Sequence, residues 1–288
     1  MDNTMREEVT YHQYRPPGVR SVLNFGNSSF IGEIDEETIL KYPLENGGDL
    51  SSLQHEYQLL QLVGPHERII AIAEQGLTDA GLYLERAPNG TLRDFLKKSN
   101  GTPSISQRLT WCRELVEAVA HVHSRGVIHC DINPSNILLD GQFHVKLADF
   151  QGCSLNSDGE VLLHARAAEP CRYFCPRNDD IEGTQATDLF ALGSTIHFIV
   201  TGEEVFPDII DGAPHWYEDV QSRFACAAFP HTPGPCTAIT QKCWMQQYMS
   251  AKDVLDDIKT IEQLNFGGIE AGKRPIEGPS YSNMCALF

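Results

Sequence analysis

The sequence predicts an α+β chain of two lobes, a small sheet-rich lobe followed by a larger helical one. Three observations carry this prediction. Between Ser21 and Lys41 the short apolar runs SVLNF, FIGEI and TILKY are broken by Gly and Asn turns, which is a strand pattern. After Pro88-Asn89-Gly90 the period changes, and SQRLTWCRELVEAVAHVHSRG spaces its apolar residues three and four apart, as a helix does. A chain of 288 residues is also long enough to bury a real core.

The elements follow in order. Residues 1–18, ending in Arg15-Pro16-Pro17-Gly18, show no periodicity and read as an arm. The three strand runs come next. Ser51 to Leu62 reads as a helix capped by Ser, with Leu53, Tyr57 and Leu60 on one face. RIIAIAEQ and GLYLERA are two more strands. TLRDFLKK is a short helix. The long helix after it turns Leu109, Cys112, Leu115, Val116, Val119 and Val122 inward and stops at Gly126. NILLD and HVKLAD are short strands about a Gly-containing turn, and an irregular stretch runs on to about Glu182. Three helical segments close the lobe: TDLFALGSTIHFIVTG, VQSRFACAAF and TAITQKCWMQQYMSAKDVLDDIKTIEQ. Residues 265–288, rich in Gly, Pro and Ser, read as a mobile tail. The expected division is therefore a sheet lobe over 19–86 and a helical lobe over 87–264.

Composition narrows the partners. The formal net charge is -17, from 39 acidic and 22 basic residues. Such a surface repels phosphate backbones and anionic lipid, which argues against nucleic acid as a partner. Nine Cys occur without a CxxC pair, and Cys171 and Cys175 have no zinc-spaced companions. An odd thiol count and no secretory signal imply a reducing, cytoplasmic setting. No apolar run approaches the ~20 residues of a spanning helix, so no transmembrane segment is expected.

The chemistry centres on VIHCDINPSNILLD, Val127 to Asp140. Asp131 follows His129 by two residues, and Asn136 follows Asp131 by five. On one loop, an Asp there can accept a proton from an attacking hydroxyl while an Asn amide oxygen holds Mg²⁺. The strand HVKLA then delivers Asp149-Phe150, a second carboxylate for the same metal.

In order and spacing these residues resemble the protein kinase family over roughly Val19 to Leu264. His129-Cys130-Asp131 with Asn136 resembles the catalytic loop, and Asp149-Phe150 the metal-binding start of the activation segment. The resemblance implies Asp131 as the base and Asn136 and Asp149 as Mg²⁺ ligands. It implies Lys41 as the phosphate-holding lysine and Glu56 as its ion-pair partner. It places ATP against Gly26, Ile31, Ile39, Leu84 at the gatekeeper position, Glu85 and Ala87 of the hinge, and Leu138. Asp188 in TDLFALG matches the helix Asp that ties down the catalytic loop. KCWMQQYMSAKDVLDDI resembles the family's C-terminal helices.

Several positions depart from the family's pattern. The phosphate-covering loop LNFGNSSFI keeps Gly26 but has Asn24 and Ser29 at the other glycine positions, which implies weaker phosphate contact. Ile39 replaces the small residue that roofs adenine, so its extra methylenes crowd the base. Cys130 replaces an Arg that pairs with a phosphate on the activation segment, which removes that switch. Asn133 replaces a Lys that contacts the γ-phosphate. Gln151 stands where Gly follows Asp-Phe. Arg177 replaces a Glu at the end of the segment, and QQYMSA lacks the Arg that would answer it, so that salt bridge is expected to be lost as a pair.

Two functions of different class follow. One is an ATP- and Mg²⁺-dependent protein kinase acting on a protein hydroxyl. The other is a pseudokinase that serves as a binding or scaffold module. A small-molecule kinase of the aminoglycoside or choline type shares HxDxxxxN, but TDLFALGSTIHFIVTG and KCW…SAKDVLDDI oppose it. The sequence leaves the protein substrate unread. Cys285-Ala286-Leu287-Phe288 fits a prenylation box, which would give weak membrane association through Cys285.

Overall fold

Five strands form one antiparallel sheet in the order β1-β2-β3-β5-β4: β1 (Ser21–Phe25), β2 (Ser29–Glu33), β3 (Thr38–Pro43), β4 (Ile72–Thr78) and β5 (Gly81–Glu85). This computed structural model describes residues 14–26, 28–98, 103–177 and 182–266. Cys285 lies outside them. Residues 14–18 of the expected arm lie against the sheet, where the Tyr14 ring meets Tyr42 edge-on at 6.0 Å.

α1 (Ser51–Val63) packs on the sheet through Leu53, Leu59, Leu60 and Val63. Ser51 does not cap it. Leu50 holds the cap position, and the Asp49 carboxylate accepts from Ser51 N at 2.9 Å and Ser51 Oγ at 2.6 Å. A carboxylate is the stronger partner for the positive end of a helix. Strand β4 starts at Ile72, later than RIIAIAEQ implied. Ile69 and Ile70 are drawn inward, each 2% exposed, and tie the lobes together: Ile70 N donates to Leu147 O, and Leu147 N to Arg68 O.

The helical lobe begins with α2 (Leu92–Lys98) and α3 (Ile105–Ser124). Ser104 caps α3 by accepting from Gln107 N at 3.2 Å, and Gly126 leaves it with φ +71°. The predicted apolar stripe of α3 is buried throughout. Next come β6 (Val127–Ile128), β7 (Ile137–Leu139) and β8 (Val145–Leu147). The stretch expected to be irregular contains a hairpin of β9 (Cys153–Leu155) and β10 (Val161–Leu163), with β9 paired to β6.

α4 (Gln185–Thr201) is buried on nearly every side, and Thr184 and Thr187 close a capping box at its start. α5 (Trp216–Ala225) begins before the predicted Val220 and ends early, because Ala227 turns left-handed at φ 54°. The last predicted helix is two, α6 (Thr237–Trp244) and α7 (Ala251–Phe266), broken where Gln246 takes φ 52°. Among the described residues no helix is long and apolar enough to cross a membrane.

Candidate active site

The loop between β6 and β7 is fixed from below by one carboxylate. Asp188, in the first turn of α4, is fully buried. It accepts from His129 N at 2.8 Å, Cys130 N at 2.9 Å and His123 Nε2 at 2.8 Å. Those donors force Cys130 into a left-handed turn at φ 60°. The turn presents the next residue, Asp131, toward the cleft. His129 is a spacer within this frame: Nε2 donates to Ala148 O at 3.1 Å, and Nδ1 accepts from Asp131 N at 3.3 Å. Burial lowers its pKa and keeps the ring neutral, as that pairing requires.

Two amides orient the Asp131 carboxylate. Asn133 Nδ2 donates to Oδ1 and Asn136 Nδ2 to Oδ2, each at 2.7 Å. Asn136 Nδ2 also reaches Asp131 O at 2.9 Å. With its nitrogen committed, the Asn136 amide has its oxygen for a metal. Burial, reinforced by the charge of Asp149 and opposed by the two amides, pushes the Asp131 carboxyl up to about 7. Sequence reasoning counted Asn133 only as a missing cation. The structure shows it as a second hand on Asp131.

Asp149 follows β8 in a left-handed conformation, φ 63°. Its carboxylate is 41% exposed and lies 2.6 Å from Lys41 Nζ, which sits 2.7 Å from Glu56 Oε2. Glu56, on α1, is 1% exposed. Burial alone would lower the Lys41 pKa, but the two carboxylates outweigh it and raise it. Burial likewise works against the Asp149 carboxylate, and Lys41 more than compensates, so its pKa is lowered. One ammonium therefore joins β3, α1 and the start of the activation segment.

Phe150 is fully buried with its ring against His129 at 4.8 Å. Gln151 fits without strain: its Nε2 donates to Ser52 O at 3.2 Å, and its carbonyl accepts from Arg166 N at 2.7 Å. The position that demands glycine is Gly152, where an added Cβ would fall 1.9 Å from Ile128 O.

The expected nucleotide positions sit on both lobes. Ile31 faces Lys41 in the β2–β3 register, and Ile39 faces Leu84 in the β3–β5 register. Ile39 and Leu84 are buried at 9% and 4% exposure and belong to the main core. Gly26 closes the hairpin through its N–H to Ser29 O at 2.8 Å. The Glu85 side chain pairs with Lys146 at 2.8 Å and its N–H donates to Ala71 O at 2.9 Å, which leaves its carbonyl for a ligand. The Ala87 carbonyl accepts from Gly90 N at 3.3 Å. Leu138 is half-buried on β7.

Asn136 and Asp149 offer hard oxygen donors, which suit Mg²⁺. Among the described residues no three His, Cys, Asp or Glu side chains group to hold a metal by themselves. Phosphate oxygens and water would complete such an ion's shell, so the residues present fit a metal carried in with a nucleotide.

Among the described residues no ion pair joins the end of the segment to the late helices, as expected, but Arg177 does not go unanswered. Arg177 pairs with Glu169 at 2.9 Å, and its guanidinium lies over the Phe174 ring at 4.1 Å. Glu169 has a fully buried side chain. The anion has moved into the activation segment itself. A neutral contact from Gln246 to Cys175 Sγ, at 3.4 Å, now links the segment to the α6–α7 turn.

A family model described as protein kinase domain matches residues 38–260. CBL-interacting protein kinase 24 of Oryza sativa subsp. japonica is 27% identical over 212 residues, 72% of this chain and 44% of that protein. CBL-interacting serine/threonine-protein kinase 8 of Arabidopsis thaliana is 25% identical over 223 residues, 74% of this chain and 48% of that protein. A probable serine/threonine-protein kinase of Dictyostelium discoideum is 32% identical over 212 residues, 71% of this chain and 40% of that protein. The chain thus spans less than half the length of these three relatives. The matched span runs from β3 into α7 and includes every site residue above except Gly26 and Ile31, and on that basis the chain belongs to the protein kinase domain family.

Proposed function

We propose that this chain transfers the γ-phosphoryl group of ATP to a hydroxyl of a protein, at serine or threonine rather than tyrosine. One observation carries the reading: Asp131, Asn136, Asp149 and the Lys41–Glu56 pair converge on one cleft with their side chains already oriented. Relatives named as serine/threonine kinases support the choice of hydroxyl.

Bound ATP with Mg²⁺ supplies the phosphoryl group and the charge neutralisation its transfer needs. The chain supplies position. Glu56 holds the Lys41 ammonium, which would meet the α- and β-phosphates, and Ile31, Ile39, Leu84 and Leu138 would hold the base. The Glu85 carbonyl and the Ala87 backbone would meet its edge, and Gly26 would cover the phosphates. Asn136 and Asp149 would hold the metal. Asp131, clamped by two amides, takes the proton of the attacking hydroxyl. All eight described cysteines are free thiols, which supports a cytoplasmic setting.

Asn24, Ser29 and Asn133 favour the second reading, a module that binds without transfer. One experiment separates the two. Asp131→Ala should lower phosphorylation of a general protein substrate by ~10²–10⁴-fold and leave the Mg·ATP thermal shift intact. Equal rates in the two proteins would leave only the binding module.

A further inference from the structure

Cys130 occupies a position that the phosphotransfer reading leaves without a task. Its thiol lies against that of Cys153. Ile128 and Cys153 are register partners in the β6–β9 pair, and the left-handed turn at Cys130 folds its sulfur back to 3.7 Å from Ile128 O. Cys153 Sγ lies 3.9 Å from Gly183 O. Both sulfurs border one point beside Gly183: an added Cβ there would fall 2.3 Å from Cys130 Sγ and 3.5 Å from Cys153 Sγ. Ile128, Cys130 and Cys153 form a small apolar cluster of their own, separate from the main core.

We propose that Cys130 and Cys153 are a redox-active pair that a hydroperoxide closes to a disulfide, tying the catalytic loop to β9. The pair stands apart from the other contacting thiols, Cys112 and Cys236, which are fully buried in the main core. Cys130 and Cys153 are 2% and 4% exposed, and the residue covering them, Gly183, is half-exposed and has no side chain. One backbone layer separates the sulfurs from water. The Cys130 thiol donates to Ile128 O, and the neighbouring Cys130 sulfur lowers the Cys153 pKa against the effect of burial. Cys153, at 4% exposure against 2% for Cys130, is the thiol an oxidant meets first, and we take it as the nucleophile of the pair.

The Cys153 thiolate attacks one peroxide oxygen; an S–O bond forms, the O–O bond breaks, and the departing oxygen takes up the proton that Cys153 gave up and leaves as water or alcohol. Cys130 sulfur then attacks Cys153 sulfur, and hydroxide leaves with the Cys130 proton as water. The two thiols lose two electrons and two protons, and one hydroperoxide is reduced. The step does not depend on phosphotransfer.

The test is a peroxide titration of the full chain, followed by alkylation and non-reducing peptide mapping. The expected result is a Cys130–Cys153 cross-linked peptide, absent before peroxide and lost on adding dithiothreitol, with Cys112 and Cys236 still reduced. Cys226, which is exposed, should be modified separately and serves as the internal control for oxidant delivery. Cys153→Ser should lose the cross-link and keep modification at Cys226. Differential alkylation of the unaltered chain gives the same answer should that variant fail to fold. Full alkylation of Cys130 and Cys153 after Cys226 has reacted would overturn the proposal. A cross-link found at Cys112–Cys236 instead would do the same.

Discussion

The catalytic loop and the β1–β2 hairpin are held by different means. In the loop each backbone N–H from His129 to Asp131 has a named acceptor, and two of them share the buried Asp188 carboxylate. In the hairpin, β1 slips register between Val22 and Asn24, and Leu23 and Phe25 are 46% and 70% exposed. The loop is a buried polar frame in which each part satisfies another. The hairpin is a pair of strands with one thin edge. Of the departures in the hairpin, Asn24 is exposed and touches little else, while Ser29 is buried beside β3. The departures at Cys130 and Asn133 are absorbed by new contacts, to Cys153 and to Asp131.

The largest blow to this contrast is Asp188→Ala. It strands two buried backbone donors and the His123 ring, and should cost on the order of 3–5 kcal/mol in urea unfolding. Phosphotransfer should vanish with it. A cost near zero would mean that the frame is not what holds the loop.

Acid probes the same lobe more mildly. His197 is 4% exposed, with Nδ1 at 2.8 Å from Thr232 Oγ1. Burial, with His231 nearby, pushes its pKa down from 6.5 to about 4. The unfolded chain takes up this proton near 6.5 and the folded chain only near 4, so the unfolded state binds more protons between those values. Stability is fully present above pH 6.5 and falls by roughly 3 kcal/mol on the way to pH 4. Chemical denaturation across that range should show His197→Asn to be less acid-sensitive.

The smallest effect belongs to the hairpin. Asn24→Gly restores a family glycine at an exposed position and should tighten Mg·ATP by no more than about fivefold, under ~1 kcal/mol. Titration calorimetry measures it, and the unfolding midpoint should not move.

The sequence was legible where a pattern is local or ordered. Strand alternation and helical periodicity gave both lobes, and the ordered series from Lys41 to Asp188 gave the site residues that the fold brings together. What stayed hidden depends on contacts distant in the chain. No spacing rule shows that Asn133 turns back onto Asp131. The split between α6 and α7 hangs on a single left-handed residue, Gln246, inside a run of good helix formers. Ser51 reads as a cap by residue type, but Leu50 holds the cap position and the Ser51 N–H and hydroxyl are themselves donors to the Asp49 carboxylate. Gln151 looked wrong because glycine was counted from Phe150. The steric demand lies one residue later, set by carbonyls on β6 and beyond.

Glu169 and Arg177 have a consequence for transplantation. Their charges answer one another inside a nine-residue stretch, so the stretch from Glu169 to Arg177 is a cassette. A chimera that imports only a distal half with Glu in place of Arg177 sets two carboxylates face to face. Swapped whole, the stretch carries its own neutrality with it.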